Sequence, residues 1–264
     1  MESPKIDYIQ SKDNKTIKHI ISLQQRKYRQ KFGEYTVEGI RAVTDIGKKD
    51  FLRSILIRES KRSELEPLVQ KGFTVSSVYV VQDPIFDKIE HSVNGQGILG
   101  IAKKCVNDLH SLIVEDGLYV ALDGVQDPGN LGTIIRTAVA AGAKGLLLLK
   151  GTVDPYNEKC VRSTMSALCN IPIFEDVILS EFYDFIKDNT IKTYVTSLEN
   201  AKPYHTISYP KRTMIILGNE GNGVSREIIE MCDQAITIPM YGDIESLNVS
   251  IAAALCMYKV REQI

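Results

Sequence analysis

The second half of the chain alternates short apolar runs with amphipathic stretches. The runs are rich in Leu, Ile and Val and indicate buried strands, while the stretches between them indicate helices. Strands that alternate with helices predict a parallel, doubly wound sheet, and fully apolar strands indicate that both of its faces are covered. The predicted strands are 118–122, 145–149, 193–196, 213–217 and 235–239, and the predicted helices are 130–142, 157–168, 179–188, 225–232 and 247–262.

The first hundred residues predict a smaller α/β unit. Two helical patterns flank a short strand within residues 16–48, and the apolar runs "SILIRE", "TVSSVYVV" and "GILGIAKK" follow. The mixed polarity of "KKCVNDLHSLIVEDG" indicates a boundary after this unit. We therefore predict an α/β protein with two domains, residues 1–105 and residues 106–264.

Charge is unevenly distributed between these domains. Residues 1–105 contain 19 Lys and Arg against 13 Asp and Glu, a balance of +6, and residues 106–264 contain 13 against 20, a balance of −7. Residues 1–31 alone contain 8 basic and 3 acidic side chains, with Tyr28 among them. Such a region is typical of a surface that binds RNA, and an ordinary solvated helix face gives the same pattern.

The spacing of the cysteines and histidines bears on metal binding, disulfides and cellular location. The five cysteines show no C-x-x-C spacing, and His19, His91, His110 and His205 match no metal-ligand pattern. No run approaches the roughly 18 apolar residues of a transmembrane helix. The charged N-terminus has no apolar signal core. We expect a cytoplasmic protein with reduced thiols that uses neither a metal nor a membrane.

Three predicted loops follow strand ends, where a parallel sheet binds its ligands. They are "DGVQDPGNLGTIIR" after Leu122, "LGNEGNGVS" from Leu217 and "IPMYGDIESLNVS" from Ile238. The glycines of the second loop are in the wrong order for the dinucleotide fingerprint, and Val224 stands where a P-loop has lysine. An oxidoreductase and a nucleoside triphosphatase are therefore disfavoured, and the carboxylate of Glu220 favours a neutral or cationic ligand.

In this order, the three loops resemble the three motifs of the SpoU (TrmH-type) RNA ribose methyltransferases. The segments that carry the resemblance are "NLGTIIRTA", "ILGNEGNGVS" and "IPMYGDIESLNVSIAAAL". Residues 32–43 and 95–104 are more weakly similar to the RNA substrate-binding domain of that family, which is itself similar to a ribosomal protein. The resemblance implies a SPOUT catalytic domain with a deep trefoil knot, S-adenosyl-L-methionine as cofactor, RNA as partner and a homodimer.

The resemblance also implies methyl transfer to a ribose 2′-hydroxyl, with rRNA as the expected substrate. An N-terminal domain of about 105 residues and the absence of a basic extension after Ile264 favour rRNA. The alternative within the same fold is a tRNA 2′-O-ribose methyltransferase. A non-catalytic RNA-binding protein is the alternative outside this class, and the intact motif side chains argue against it.

The resemblance assigns roles to particular side chains. Arg136 is expected in the second turn of a helix that begins near Asn130, with the neighbouring Gly132 leaving room for a nucleotide. Its guanidinium would bind phosphate and orient the hydroxyl, since arginine keeps its proton too firmly to serve as a base. Glu220 is expected to order Arg136 or polar groups of the substrate, with a solvated loop carboxylate as the alternative. Helix capping is the alternative role of Asn130 and Ser246. The expected catalytic residues are Asn130, Arg136, Glu220, Ser246 and Asn248.

Cofactor binding is expected to depend mainly on backbone groups of the loops, with adenine between Ile238 and Leu247. Met257 and Tyr258 are expected in the core or in a dimer interface. The resemblance implies cofactor contacts from Thr196, Ser197, Leu198, Leu217, Gly218, Asn219, Gly223, Ile238, Met240, Leu247 and Asn248.

Overall fold

The computed structural model describes residues 6–69, 75–92 and 95–264 of the 264-residue chain. The chain forms two compact units. The first contains the residues up to Cys105 together with 156–169, and the second contains 106–155 and 170–264. The break after Cys105 coincides with the change in polarity seen in the sequence. The return of 156–169 to the first unit was not predicted, because that segment follows the strand–helix alternation of the second.

A mixed five-stranded sheet forms the centre of the first unit. Its strands are β1 (Ile6–Ile9), β2 (Glu34–Glu38), β3 (Leu52–Arg58), β4 (Ser77–Val81) and β5 (Ile98–Lys103). Their order is β1–β4–β3–β5–β2, in which β4 is parallel to both of its neighbours and β5 is antiparallel to both of its own.

The helices of this region cover the sheet with amphipathic faces. They are α1 (Lys15–Ser22), α2 (Arg26–Phe32), α3 (Ile40–Gly47), α4 (Leu65–Val69) and α5 (Asp83–Phe86). Ile17 and Ile20 of α1 are buried in the core. Arg29 of α2 is also buried, and its guanidinium donates to the carbonyl oxygens of Leu23 and Gln24 at 2.8 Å each. Arg29 is therefore a structural residue, although it lies within the basic N-terminal stretch.

A parallel seven-stranded sheet forms the centre of the second unit. Its strands are β6 (Gly117–Asp123), β7 (Gly145–Leu149), β8 (Ile173–Val177), β9 (Lys192–Thr196), β10 (Lys202–Pro203), β11 (Arg212–Gly218) and β12 (Gln234–Thr237). Their order is β10–β12–β9–β11–β6–β7–β8. The five predicted strands are present. The prediction missed β8, whose apolar pattern is interrupted by Glu175 and Asp176, and β10, which has only two residues.

Helices follow most of these strands. They are α6 (Pro128–Ala140), α7 (Glu158–Ser163), α8 (Leu179–Asp188), α9 (Arg226–Met231) and α10 (Val249–Arg261), of which α7 belongs to the first unit. The predicted bounds of α8 are correct. The predicted helix 157–168 was too long, because α7 ends at Ser163 and both Met165 and Ser166 adopt positive φ angles. No helix among the described residues has the length and apolar character needed to cross a membrane.

The register of β6 and β11 sets the position of the loops that follow them. The two strands are parallel neighbours, and Gly218 pairs with Asp123 at their carboxyl ends. Tyr119 of β6 and Met214 of β11 contribute to the core of this unit, where Phe182 of α8 is fully buried. Since the chain leaves both strands at the same edge of the sheet, the first two motif loops emerge side by side.

Candidate functional site

Glu220 is the centre of a hydrogen-bond network at this edge of the sheet. Its Oε1 accepts from Asn130 Nδ2 at 3.0 Å and from the Asp127 N–H at 3.2 Å, and its Oε2 accepts from the Gln126 N–H at 3.1 Å. Partial burial acts to raise the pKa of Glu220, but these hydrogen bonds outweigh it and hold the pKa below its ordinary value. The ionised carboxylate therefore fastens the loop after β11 to the loop after β6.

Asn130 extends this network to the third motif loop. Its Oδ1 accepts a hydrogen bond of 2.9 Å from Asn248 Nδ2. Because a carboxylate only accepts, Asn130 must present its NH₂ group to Glu220, which leaves its oxygen for Asn248. Asn248 in turn accepts from the N–H and the hydroxyl of Ser250 at 2.9 and 2.6 Å. The chain Glu220–Asn130–Asn248 thus joins side chains from all three motifs.

The helix caps differ from the predicted ones. Asp127 caps α6, since its Oδ1 accepts from the Asn130 N–H at 2.9 Å and the helix begins at Pro128. Asn248 caps α10, and Ser246 lies exposed two residues ahead of it. Helix capping was therefore the wrong role for the side chains of Asn130 and Ser246. The amide of Asn130 instead bonds to its neighbours in the network.

Arg136 lies on the exposed face of α6. Because the helix begins at Pro128, Arg136 is in the third turn rather than the second. Its side chain makes no hydrogen bond or ion pair with any other part of the chain that the structure describes, so of the two active-site roles expected for Glu220 the ordering of Arg136 is not seen. Gly132 is buried, whereas Thr133 is exposed one turn before Arg136. The guanidinium is open to an anionic ligand.

The glycine loop after β11 is a tight hairpin. The N–H and the oxygen of Asn219 pair with the oxygen and the N–H of Gly223 at 2.9 and 3.0 Å, and Asn219 Oδ1 accepts from the Gly221 N–H at 2.9 Å. A Cβ on Gly218 would lie 2.1 Å from the carbonyl carbon of Gly223, and Gly223 has a φ of +71°. Glycine is thus required for the turn that carries Glu220.

A groove of about 500 Å³ lies at the third motif loop, within the size range of small-ligand sites. Three predicted cofactor residues, Ile238, Met240 and Leu247, line it. Tyr204 and His205 also line the groove, which the sequence did not predict. The signal that could have indicated them was two adjacent aromatic residues directly after β10, a strand that the prediction missed. The lining residues are Tyr204, His205, Ile238, Pro239, Met240, Tyr241, Gly242, Ile244, Leu247 and Leu255.

Further predicted cofactor residues lie at the ends of β9 and β11. The Thr196 hydroxyl donates to a carbonyl oxygen of β11 at 3.3 Å, and the Ser197 N–H donates to one of β12 at 3.0 Å. Leu198 is 80% exposed, whereas Leu217 is buried and Gly218 has no side chain. These residues share the carboxyl edge of the sheet with the Glu220 network. Their part in cofactor binding stays a prediction.

Histidines take structural positions in the first unit. His19 Nε2 lies 2.6 Å from a carboxylate oxygen of Glu34, and His91 Nε2 lies 3.1 Å from one of Glu158. Within residues 6–69, 75–92 and 95–264, no group of three or more His, Cys, Asp or Glu side chains is arranged to hold a metal ion.

Comparison with known proteins matches both units of the chain. Residues 117–258 match the SpoU rRNA methylase family, and residues 14–100 match the MRM3-like substrate-binding domain. The chain is 33% identical to the 23S rRNA (guanosine(2553)-2'-O)-methyltransferase RlmP of Bacillus subtilis over 256 residues, which cover 96% of this chain and 98% of that protein.

Solved structures of similar fold match nearly the whole chain. The crystal structure of an AdoMet-bound rRNA methyltransferase from Sinorhizobium meliloti shares 30% identity, covers 97% of this chain and 98% of its own, and gives a TM-score of 0.87. The SpoU methyltransferase AviRb from Streptomyces viridochromogenes shares 25% identity. The match covers 95% of this chain and 97% of AviRb, with a TM-score of 0.82. The fold and the joined motif loops thus define an α/β methyltransferase of the SPOUT class. The chain belongs to the SpoU rRNA methylase family, as the motifs predicted.

Proposed function

We propose that this protein transfers a methyl group from S-adenosylmethionine to a ribose 2′-hydroxyl of rRNA. The observation that carries the proposal is the hydrogen-bonded chain Glu220–Asn130–Asn248, which joins the three family motifs. Its central residue, Asn130, lies on the same helix as the exposed Arg136. The similarity to RlmP, a 23S rRNA enzyme, extends over both units and supports rRNA rather than tRNA as the substrate.

The residues of the third motif fit S-adenosylmethionine. The groove has a mostly apolar lining that includes Ile238, Met240 and Leu247, which suits an adenine ring, and its volume suits a nucleoside. The neighbouring hairpin follows β11 at the same carboxyl edge of the sheet. When bound, the cofactor supplies a methyl group made electrophilic by its sulfonium.

The task left to the protein is to place the 2′-hydroxyl and to stabilise the charge that develops on its oxygen. Asn130 is held from both sides by Glu220 and Asn248, so its orientation is fixed before RNA arrives. Three donors occupy Glu220, which makes it a positioning residue. The exposed guanidinium of Arg136 offers uncommitted donors, and we assign it to the substrate phosphate and the hydroxyl oxygen.

Helix α2 of the first unit presents a basic and aromatic surface. Lys27 lies over the ring of Tyr28 and Lys31 over that of Phe32, at 4.8 and 5.5 Å, and the two rings stack at 6.1 Å. Exposed lysines bind phosphates and exposed rings stack on unpaired bases. We propose this surface, without the buried Arg29, as an RNA contact.

A homodimer is the assembly we propose, with α10 at its interface. Ile251, Leu255 and Tyr258 are 51%, 38% and 48% exposed and recur at helical spacing along one face, while Tyr241 and Ile244 are exposed just before the helix. A contiguous apolar surface of this kind is typical of an interface. Sedimentation equilibrium tests the assembly: the wild type is expected to sediment as a dimer and the Leu255→Glu/Tyr258→Glu variant as a monomer.

We also propose that the protein acts in the cytoplasm. All five of its cysteines are free thiols, which suits a reducing compartment. Immunodetection in fractionated cells tests this location, and recovery with the membranes would contradict it.

The reaction is tested by incubating the protein with methyl-labelled S-adenosylmethionine and total RNA that lacks this modification, followed by size fractionation. Label in large rRNA is the expected result, and label confined to tRNA-sized RNA would assign the alternative substrate. Absence of label from RNA and from isolated ribosomal subunits, together with no binding of S-adenosylhomocysteine, would leave a non-catalytic RNA-binding protein.

A further inference from the structure

The chain passes between the two units at three points: after Cys105, before Tyr156 and after Cys169. Residues at all three points meet within the first unit. The Tyr156 hydroxyl accepts from the Cys105 N–H at 3.1 Å and donates to the Cys105 oxygen at 3.0 Å. The Sγ atoms of Cys105 and Cys169 are 3.2 Å apart. Two thiols that are 64 residues apart in sequence are therefore in direct contact.

The surroundings of this pair favour a thiolate on Cys169. The hydrogen bond from the Cys105 thiol lowers the pKa of Cys169 to about 7; burial opposes the shift, and the Tyr35 hydroxyl and the Lys49 ammonium support it. The same hydrogen bond, together with burial, raises the pKa of Cys105. Both cysteines are only partly buried, so a small oxidant can reach them.

The cysteines of the second unit offer a contrast. Cys232 is partly buried and Cys256 fully buried, and burial raises the pKa of each thiol to about 12. At neutral pH both remain protonated and unreactive, since the thiolate is the nucleophile. They provide internal controls for a selective reaction at the pair.

We propose that Cys105 and Cys169 form an oxidation site at which a hydroperoxide produces an intramolecular disulfide. The Cys169 thiolate attacks the peroxide, so that an S–O bond forms, the O–O bond breaks and the departing oxygen leaves as water or an alcohol after taking up a proton. Cys105 then attacks the sulfur of this sulfenic acid, an S–S bond forms and water leaves. Two thiols lose two electrons in total, and the hydroperoxide gains them.

The disulfide would tie together the first and the third point at which the chain crosses between its units. It would close a loop that contains residues 106–155 of the second unit and the segment 156–169. Both cysteines belong to the first unit, whereas the Glu220 network belongs to the second. The inference is independent of the proposed methyl transfer.

The test uses reduced full-length protein, treated with hydrogen peroxide, alkylated under denaturing conditions and analysed by mass spectrometry. We expect three alkylated cysteines instead of five, a crosslinked peptide that joins Cys105 to Cys169 with a mass two hydrogens below the sum of its two parts, and five alkylated cysteines after reduction. In Cys105→Ser, we expect a sulfenic acid on Cys169 that dimedone traps. Cys232→Ser is the matched control and should give the same crosslink as the wild type.

Because the wild type alone gives the main result, a folding defect in a variant cannot obscure it. Oxidation spread equally over Cys232 and Cys169 would overturn the proposal. So would a crosslink between two chains on a non-reducing gel, or persistence of both thiols while the peroxide is consumed.

Discussion

Asn130 Nδ2 donates a hydrogen bond of 3.0 Å to Glu220 Oε1, although the two residues are 90 positions apart in the chain. They meet because β6 and β11 are neighbouring parallel strands whose carboxyl ends lie side by side. Asn130 belongs to the helix that follows the first strand, and Glu220 to the hairpin that follows the second. One carboxylate thus assembles a site from separate parts of the sequence.

Replacing Glu220 with Gln tests this assembly. A glutamine has one acceptor oxygen, so its NH₂ group would face at least one of the three present donors. Loss of hydrogen bonds to a charged group, worth about 1.5–3 kcal/mol, predicts a fall in kcat/KM of roughly 10- to 100-fold. Steady-state kinetics measures it, with the exposed Glu227 of α9 changed to Gln as the control. Equal activity of the two variants would remove Glu220 from the site.

Acid sensitivity provides a second test of Glu220. Its pKa is lowered in the folded protein from an ordinary value of 4.5. The stability that it contributes is therefore complete above pH 4.5 and is lost as the pH falls through the lower folded pKa. We expect the unfolding free energy of the wild type to fall more steeply below pH 4.5 than that of Glu220→Gln. Denaturant titrations across this range give both slopes, and parallel slopes would contradict the assignment.

Replacing Arg136 with Ala is expected to abolish most methyl transfer and to leave cofactor binding unchanged. The reason is that its guanidinium makes no hydrogen bond or ion pair within the described part of the chain and is available to RNA. Removal of an oriented charge that acts on the reacting oxygen predicts a loss of about 100-fold or more. Arg136→Lys should recover little, since an ammonium lacks the two-pronged geometry.

Single-turnover rates and calorimetry with S-adenosylhomocysteine separate the effects of Arg136 on transfer and on cofactor binding. The exposed Arg226, which pairs with Glu230, provides the control substitution. A fully active Arg136→Ala enzyme would refute the role given to this residue.

Gly218→Ala should destabilise the second unit, whereas Gly221→Ala should not. A Cβ at Gly218 would meet backbone atoms of the same hairpin at 2.1–2.3 Å, whereas a Cβ at Gly221 would have its nearest contact at 3.6 Å. Overpacking against backbone predicts a loss of about 1–3 kcal/mol or more. Thermal unfolding of the two variants makes the comparison, and a wild-type Tm for Gly218→Ala would show that the hairpin can rearrange.

Lys27→Ala/Lys31→Ala should weaken RNA binding without changing cofactor binding. Each lost phosphate contact is expected to reduce the slope of log affinity against log salt by about 1. The matched control is Lys187→Ala/Lys211→Ala in the second unit, where Lys187 likewise lies over a tyrosine ring. Filter binding at several salt concentrations measures both, and equal affinities of the two variants would exclude α2 as an RNA contact.

Periodicity was sufficient to predict the parallel sheet, because β6, β7 and β11 are continuous apolar runs. It failed at β8, where two acidic residues interrupt the run, and at α7, which was extended through residues of positive φ. The SPOUT class and the identity of the three motif loops came from family resemblance. The trefoil knot came from the same source and stays a prediction, since no pattern of period two or 3.6 encodes how a chain is threaded.

The sequence predicted which residues form the site but not which of them contact one another. The sequence placed Asn130, Arg136 and Glu220 at one edge of the sheet, yet it expected Glu220 to order Arg136 or the substrate and did not predict its contact with Asn130. Such a pairing depends on the register of β6 and β11 and on where α6 begins, and the cap by Asp127 shifts that start. When the predicted start of a helix is wrong by two residues, its side chains are assigned to the wrong faces and therefore to the wrong partners.

The most direct test of the account is the chemical form of the methyl group that this protein adds. Labelled rRNA from the transfer reaction is hydrolysed with alkali and then digested to nucleosides. A 2′-O-methyl group blocks alkaline cleavage at its own linkage, so we predict label in alkali-resistant dinucleotides that yield a 2′-O-methylnucleoside. Label in mononucleotides that carry a methylated base would contradict ribose methylation by this site.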